Sequence, residues 1–327
     1  MTRVLLTVGL LAIAACARAS QRPNAPAPTP RPAFAAAAPE TIAVNARPVS
    51  YGLPAGAVRV TGALALTSSD ARFGGLSGLA LTPDGSGFVA VSDRGPLFRG
   101  RLLRDDRGAL TGVADVTVEP LLDPRGAPRD FGDDDAEGVA LGPDGALYVS
   151  FEGDDPRIWR YARQGAPARP VPPAPGFATL QRNSGLEALA LTADGDLIAI
   201  PERSGALDRP FPVFRRSART GRWDTGRLPR VPPYLVTGAD VGPDGFLYVV
   251  ERDFVLLGGF SWRVRRADLA DWPDLRPELV VEARGGLDNM ESIDVQARPD
   301  GGLRLTLITD DNYQGLQRTL LLELALD

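Results

Sequence analysis

The sequence predicts an all-β protein, a β-propeller, from three observations: a repeated hairpin pattern, tight turns at a near-constant spacing, and chain ends that can pair. Five segments align: GLSGLALTPDGSGFVAVSDRG (residues 75–95), AEGVALGPDGALYVSFEGD (136–154), GLEALALTADGDLIAIPERS (185–204), TGADVGPDGFLYVVERD (237–253) and MESIDVQARPDGGLRLTLITDD (290–311). Each is an apolar run, a turn of the Pro-Asp-Gly type, and a second run rich in β-branched and aromatic residues. That layout is a hairpin. The turn aspartates Asp84, Asp144, Asp194, Asp244 and Asp300 recur every 50 to 60 residues. Such a period suits four-stranded propeller blades with long outer loops.

In chain order, MTRVLLTVGLLAIAACARAS (residues 1–20) comes first, with one arginine, an apolar run and then small residues. This is the layout of a secretory signal peptide, too short to span a bilayer. Ile13-Ala14-Ala15-Cys16 resembles a bacterial lipobox, which makes residues 1–15 a lipoprotein signal peptide and Cys16, the only cysteine, the lipidated first mature residue. Cleavage after Ala17-Arg18-Ala19 is the alternative, and both export the protein. With Ala17 after the cysteine, the lipoprotein resemblance implies anchoring to the outer membrane, on its periplasmic side or at the cell surface. Residues 16–50, rich in Pro and Ala, read as an extended tether.

Residues 51–327 read as the folded domain. Outer strands follow the first hairpins: PLFRGRLLR and LTGVADVTVEPL after Asp93, RIWRYA after Glu152. The last repeat ends on its third strand, QRTLLLELAL. Its fourth strand is expected from AVRVTGALAL (residues 57–66), closing the ring by pairing the two ends and removing sheet edges. A sixth, degenerate blade would have to lie between repeats or before Phe73, so the expectation stands at five or six blades, with an open all-β solenoid as the alternative.

The chain has 327 residues, 44% hydrophobic and 24% charged, with a net charge of −5 and a pI near 5.1. It can bury a large core, and it lacks the basic field that would hold a nucleic acid backbone. It contains no histidine. A Ser-His-Asp triad and imidazole metal ligands are therefore excluded, and any metal would be held by oxygen, which favours Ca²⁺ or Mg²⁺. Neither a G-x-S-x-G elbow nor a Walker loop occurs.

In each hairpin the start of the first strand and the end of the second lie together, opposite the turn. The first position is Ser77, Glu137, Glu187, Thr237 and Glu291; the second is Asp93, Glu152, Glu202, Glu251 and Asp310. With every blade oriented alike, up to eight carboxylates face one mouth of the central channel, where mutual repulsion calls for a cation, with Ca²⁺ the expected one. Asp93, Glu137, Glu152, Glu187, Glu202, Glu251, Glu291 and Asp310 are the candidate ligands, with Asp135 an additional one. Arg94, Arg203 and Arg252 follow three of these acids and suit an anionic or phosphorylated small substrate. The competing interpretation is solvated strand ends and surface ion pairs. The Pro-Asp-Gly turns are expected to be purely structural.

FGGLSGLAL with SDRG (residues 73–95), AEGVAL (136–141), GLEALAL (185–191) and NMESIDV, LITDDNY and LQRTLLLEL (within 289–324) resemble the phytase-like family described by an esterase-like activity of phytase. The resemblance runs from about residue 58 to residue 326. It implies an exported bacterial propeller that hydrolyses phosphoester or ester bonds with Ca²⁺ held on one face, where the ion polarises the phosphoryl group and activates water. It places the family's acidic positions on Glu137, Glu187, Glu291 and Asp310, the residues expected to serve catalysis, and its Asp-Arg pair on Asp93 and Arg94. The fourth repeat has Thr237 where an acid is expected, which makes the site asymmetric. A gluconolactonase-like calcium-dependent lactone hydrolase and a non-enzymatic envelope scaffold are the alternatives. A monomer anchored by lipid alone, without nucleic acid partners, is expected.

Overall fold

The computed structural model describes residues 34, 37–54, 56, 58–132, 134–181, 185–256, 258–286 and 288–327. The expected signal peptide, Cys16 and most of the segment expected to be a tether lie outside the described residues.

Two short strands come first, β1 (Glu40–Thr41) and β2 (Val44–Pro48), followed by β3 (Val58–Ser68). Blade 1 is β4 (Leu76–Leu81), β5 (Gly87–Ser92), β6 (Pro96–Arg104) and β7 (Leu110–Pro120). Blade 2 is β8 (Ala136–Leu141), β9 (Leu147–Phe151), β10 (Arg157–Tyr161) and β11 (Arg169–Pro170). Blade 3 is β12 (Leu186–Leu191), β13 (Leu197–Pro201), β14 (Phe211–Arg216) and β15 (Trp223–Leu228). Blade 4 is β16 (Leu235–Val241), β17 (Phe246–Val255), β18 (Gly259–Asp268) and β19 (Glu278–Ala283). Blade 5 takes β20 (Asn289–Ala297), β21 (Leu303–Asp310) and β22 (Thr319–Leu326) from the end of the chain, and β3 from its beginning. The protein is thus a five-bladed β-propeller. The ring is closed by antiparallel pairing of β22 with β3, from Thr319 opposite Leu66 to Leu326 opposite Val58.

The segment read as a tether holds two of these strands. Glu40–Thr41 pairs with β7 and Val44–Pro48 with β3, each adding a fifth strand to the outside of a blade. Ile42 between them is buried in the core shared by blades 1 and 5, where Phe34 also packs. The physical cause is local: Thr41, Ile42 and Val44 favour extended backbone, and the outer edges of blades 1 and 5 offer unpaired amides.

All five turns close with a glycine amide donating to the carbonyl three residues back, as in Gly85 N–H to Thr82 O at 2.8 Å. The turn glycines have positive φ, from 69° at Gly85 to 92° at Gly301, and the preceding aspartate of four turns accepts the amide two residues on. These turns are structural, as their chemistry predicts.

Hydrophobic clusters sit between neighbouring blades rather than within them. Leu64, Leu76, Phe98 and Leu321 join blades 5 and 1, whereas Val91 joins Val149 and Phe151 across blades 1 and 2. Ile158, Leu186 and Phe214 join blades 2 and 3, Ile200 and Val249 join blades 3 and 4, and Tyr248, Met290 and Leu322 join blades 4 and 5. Each blade is sandwiched, so both faces of its inner strands read as apolar.

Candidate functional site

A β-bulge positions each candidate at the start of an innermost strand. The register of every innermost pair shifts at one place: Leu76/Gly78, Ala136/Val139, Leu186/Ala188, Val236/Gly238 and Met290/Ser292. Ser77, Glu137, Glu187, Thr237 and Glu291 lie within these shifts. A bulge re-aims its side chain, here toward the channel mouth. The residue after it is small because the next blade's backbone touches it: a Cβ on Gly78 would sit 2.6 Å from Glu137 O, on Gly138 2.8 Å from Glu187 O, and on Gly238 2.5 Å from Glu291 O.

The two hydroxyl residues of this set serve the ring. Ser77 Oγ donates to Ala136 O at 2.6 Å and Thr237 Oγ1 to Met290 O at 3.1 Å, each bridging to the next blade. Thr237 in place of an acid is thus a blade-to-blade tie, and the acids are left to blades 2, 3 and 5.

On the side of blades 2 and 3, single oxygens of Asp135, Glu137 and Glu152 all lie within 4.8 Å of one another. Among the described residues no arginine forms an ion pair with this trio, and the sequence contains no lysine. Gly185 N–H donates to Glu152 Oε2 at 3.2 Å. Burial, then the Asp135 charge, pushes Glu152 up to about 7. Burial raises Asp135, and burial followed by the charges of Glu187, Asp135 and Glu152 raises Glu137 well above the carboxylate range. Glu187, buried beside Glu202 and Glu152, is raised in the same way. Held protons or a cation must relieve this repulsion.

On the opposite side the relief is internal. Arg252 lies 3.0 Å from Glu291 Oε1 and 3.8 Å from Glu202 Oε1, and donates to Asn289 Oδ1. Asn289 Nδ2 in turn donates to Glu291 Oε1 at 2.6 Å. Burial would lower the Arg252 pKa, but Glu291, Glu202, Glu187 and Asp310 outweigh it. Burial nevertheless pushes Glu291 up to about 8, against the pull of Arg252. Asp310, which accepts Asn312 N–H at 2.7 Å, is pushed to about 7 by burial. Its neighbours Asp93 and Asp311 add to the shift. Asp93 completes the circuit: burial raises it, Arg94 opposes, and its charge reaches both Asp310 and Asp135.

Asp93, Glu137, Glu152, Glu187, Glu202, Glu291, Asp310 and Asp135 are therefore brought together. Glu251 is not. Its carboxylate, fully buried, takes Arg263 Nε at 2.5 Å and Arg265 Nε at 2.9 Å, with a further contact to Arg265 Nη2. The two guanidiniums also donate to Val231 O and Pro229 O. This corrects its expected role as a metal ligand, since both oxygens are consumed by blade 4. Glu251→Gln, which strands two buried cations, is expected to destabilise the protein by about 3–5 kcal/mol. Thermal melting checks this.

The three arginines differ. Arg203 pairs with Glu202 at 3.0 Å and is half exposed, and Arg252 is locked between acids. Arg94 instead lies 3.8 Å over the Tyr313 ring and 5.6 Å from the Phe131 ring, with no ion pair among the described residues. Tyr313, whose hydroxyl lies 3.0 Å from Ser92 Oγ, and Asn289 were missed in the sequence. Their signal is position: both flank the acidic motifs, in NMESIDV and LITDDNY.

None of the curated proteins compared with the chain matches it. Among solved structures, a glucose dehydrogenase is 14% identical, covering 83% of this chain and 99% of its own, with a TM-score of 0.39. A putative oxidoreductase (glucose dehydrogenase) from Thermus thermophilus is 18% identical over 83% and 100%, TM-score 0.35. A protein of unknown function from Dyadobacter fermentans is 14% identical over 81% and 84%, TM-score 0.43. The phytase-like family, described as "Esterase-like activity of phytase", matches residues 71–313, a span that takes in all five bulges and every acid of the mouth. The chain belongs to the phytase-like family.

Proposed function

We propose that this protein is an exported, calcium-dependent hydrolase of phosphoester bonds, acting at the channel mouth on a small anionic substrate. The observation that carries this reading is the convergence of Asp135, Glu137 and Glu152 within 4.8 Å, beside Glu187. The donor set fits a hard cation: it is oxygen only, and its three carboxylates fall short of the six to eight oxygens calcium takes, so water or substrate oxygens would complete the shell. A bound calcium ion would polarise a phosphoryl oxygen and acidify water.

The chain's own residues supply the rest. Arg94, which lies over the Tyr313 ring with Phe131 beside it, would offer its guanidinium to an anionic oxygen. Asp310, pushed up to about 7 by burial, can hold or release a proton near neutral pH. Arg252 fixes Glu291 and Glu202 and keeps them from competing for the ion. Anchoring through Cys16 belongs to the same reading and is supported by the sequence of residues 1–20 alone.

The test uses protein stripped by a chelator and titrated with Ca²⁺ while a generic phosphodiester and a lactone are offered. Turnover of the phosphodiester that saturates with Ca²⁺ is expected. Turnover of the lactone alone would favour the gluconolactonase-like alternative; no turnover of either, with no calcium-induced melting shift, would leave a scaffold.

A further inference from the structure

A second group of acids lies deeper in the channel. Three residues past each bulge the innermost strands carry Ala80, Ala140, Ala190, Asp240 and Asp294. At a level where three blades present a methyl group, two adjacent blades present carboxylates. Both line a cavity of about 50 Å³ on the propeller axis, whose other walls are aliphatic. No arginine lines it among the described residues.

Each aspartate has one oxygen assigned. Asp240 Oδ2 accepts Val295 N–H from blade 5, and Asp294 Oδ2 accepts Leu81 N–H from blade 1, both at 2.8 Å. These bonds cap amides on the inner edge of the next blade. Asp294 Oδ1 is different: the residue is 8% exposed, and that oxygen is fully buried without a hydrogen-bond partner. A stranded acceptor of this kind costs about 1–3 kcal/mol, and more when charged.

A proton shared between the two acids would require them to bond directly. The Asp294 charge acts on Asp240 but the two acids make no hydrogen bond to one another, so a proton held by Asp240 would relieve the repulsion and still leave Asp294 Oδ1 without a donor. Water can occupy the cavity, since it exceeds the roughly 10–15 Å³ a water molecule needs, but water alone leaves the repulsion in place. An ion between the carboxylates satisfies the orphaned oxygen and cancels the charge.

We propose that Asp240 and Asp294 hold a hard cation on the propeller axis, in a site separate from the mouth, which ties blades 4, 5 and 1 together. Its ligands are oxygens only, so calcium is the probe. Burial, then the Asp294 charge, raises the Asp240 pKa well above the carboxylate range, and burial pushes Asp294 up to about 6, the expected state of such a pair when the ion is removed.

The full chain is stripped with chelator, dialysed against Ca²⁺ and assayed for bound metal per chain. Wild type should hold one more equivalent than Asp294→Asn. Glu137→Gln should lose a different equivalent, at the mouth, and still gain thermal stability from Ca²⁺. Equal stoichiometry in wild type and Asp294→Asn overturns the proposal. If Asp294→Asn does not fold, the Glu137→Gln protein decides: no bound calcium and no melting shift overturn it as well. An inactive protein that still shows the Asp294-dependent equivalent would refute the hydrolase reading and leave this site standing.

Discussion

Exchanging Glu137 and Glu152 together for glutamine is expected to weaken calcium binding at the mouth by at least about a hundredfold and to remove calcium-dependent turnover. The amides keep the size of the side chains but delete two of the three charges that converge within 4.8 Å. Affinity for a hard cation follows the number of charged ligands, so two neutral replacements leave Asp135 alone with a partial shell. Metal-free protein should respond in the opposite direction. Burial and mutual repulsion raise the pKa values of both glutamates, so neutral amides relieve strain and the melting temperature should rise. A ligand cluster predicts this inversion, loss of calcium response with gain of apo stability; solvated strand ends predict no change in either. Isothermal titration and melting curves with and without chelator read both. Unchanged calcium affinity would remove these residues from the metal site.

Much of this was legible because it is local. Pro-Asp-Gly turns announce hairpins, and a hairpin forces its two ends together, so the meeting of Glu291 with Asp310 and of Glu137 with Glu152 followed from sequence spacing. Ring closure was legible too, since β22 lacked a partner and β3 was an orphan strand. What stayed hidden depends on neighbours distant in sequence. Glu251 occupies the same repeat position as Glu152, yet blade 4 extends its hairpin and places Arg263 and Arg265 directly against it. Only cross-strand register reveals that Glu251 faces Arg263. The strands at Glu40–Thr41 and Val44–Pro48 were masked by the surrounding Pro and Ala, although their β-branched residues were in view. The five-or-six question needed contacts between blades, which a repeat count does not supply. Asp240 and Asp294 were in the aligned repeats throughout; they stand out only once alanine is seen to be what the channel accepts elsewhere.

Without divalent cations, the protein should become less stable as pH rises from about 5 to 8, a reversal of the usual carboxylate behaviour. The sign follows from which state binds protons more tightly. Glu152 and Asp310 are pushed to about 7 and Glu291 to about 8 in the folded protein, and Asp294 to about 6, while in the unfolded chain such groups titrate near 4. Between those values the folded state holds protons that the unfolded state has lost, so raising the pH favours unfolding. The full contribution is present below about pH 4 and is lost as the pH passes through the folded values. Acids with lowered pKa values, such as Asp70 beside Arg72, act in the opposite sense but only at lower pH, where they do not offset the trend. With a few groups shifting by two units or more, after allowance for screening at the partly open mouth, the apo melting temperature should drop by about 10 °C across this window. Calcium should flatten the curve, because an ion in the acidic circuit does the work of the bound protons and binds best when they have left. Melting curves at fixed ionic strength, with chelator and with saturating Ca²⁺, measure both slopes. An apo melting temperature that stays level or climbs from pH 5 to 8 would mean that the acids of the mouth are solvated and independent, and the metal centre would lose its electrostatic basis.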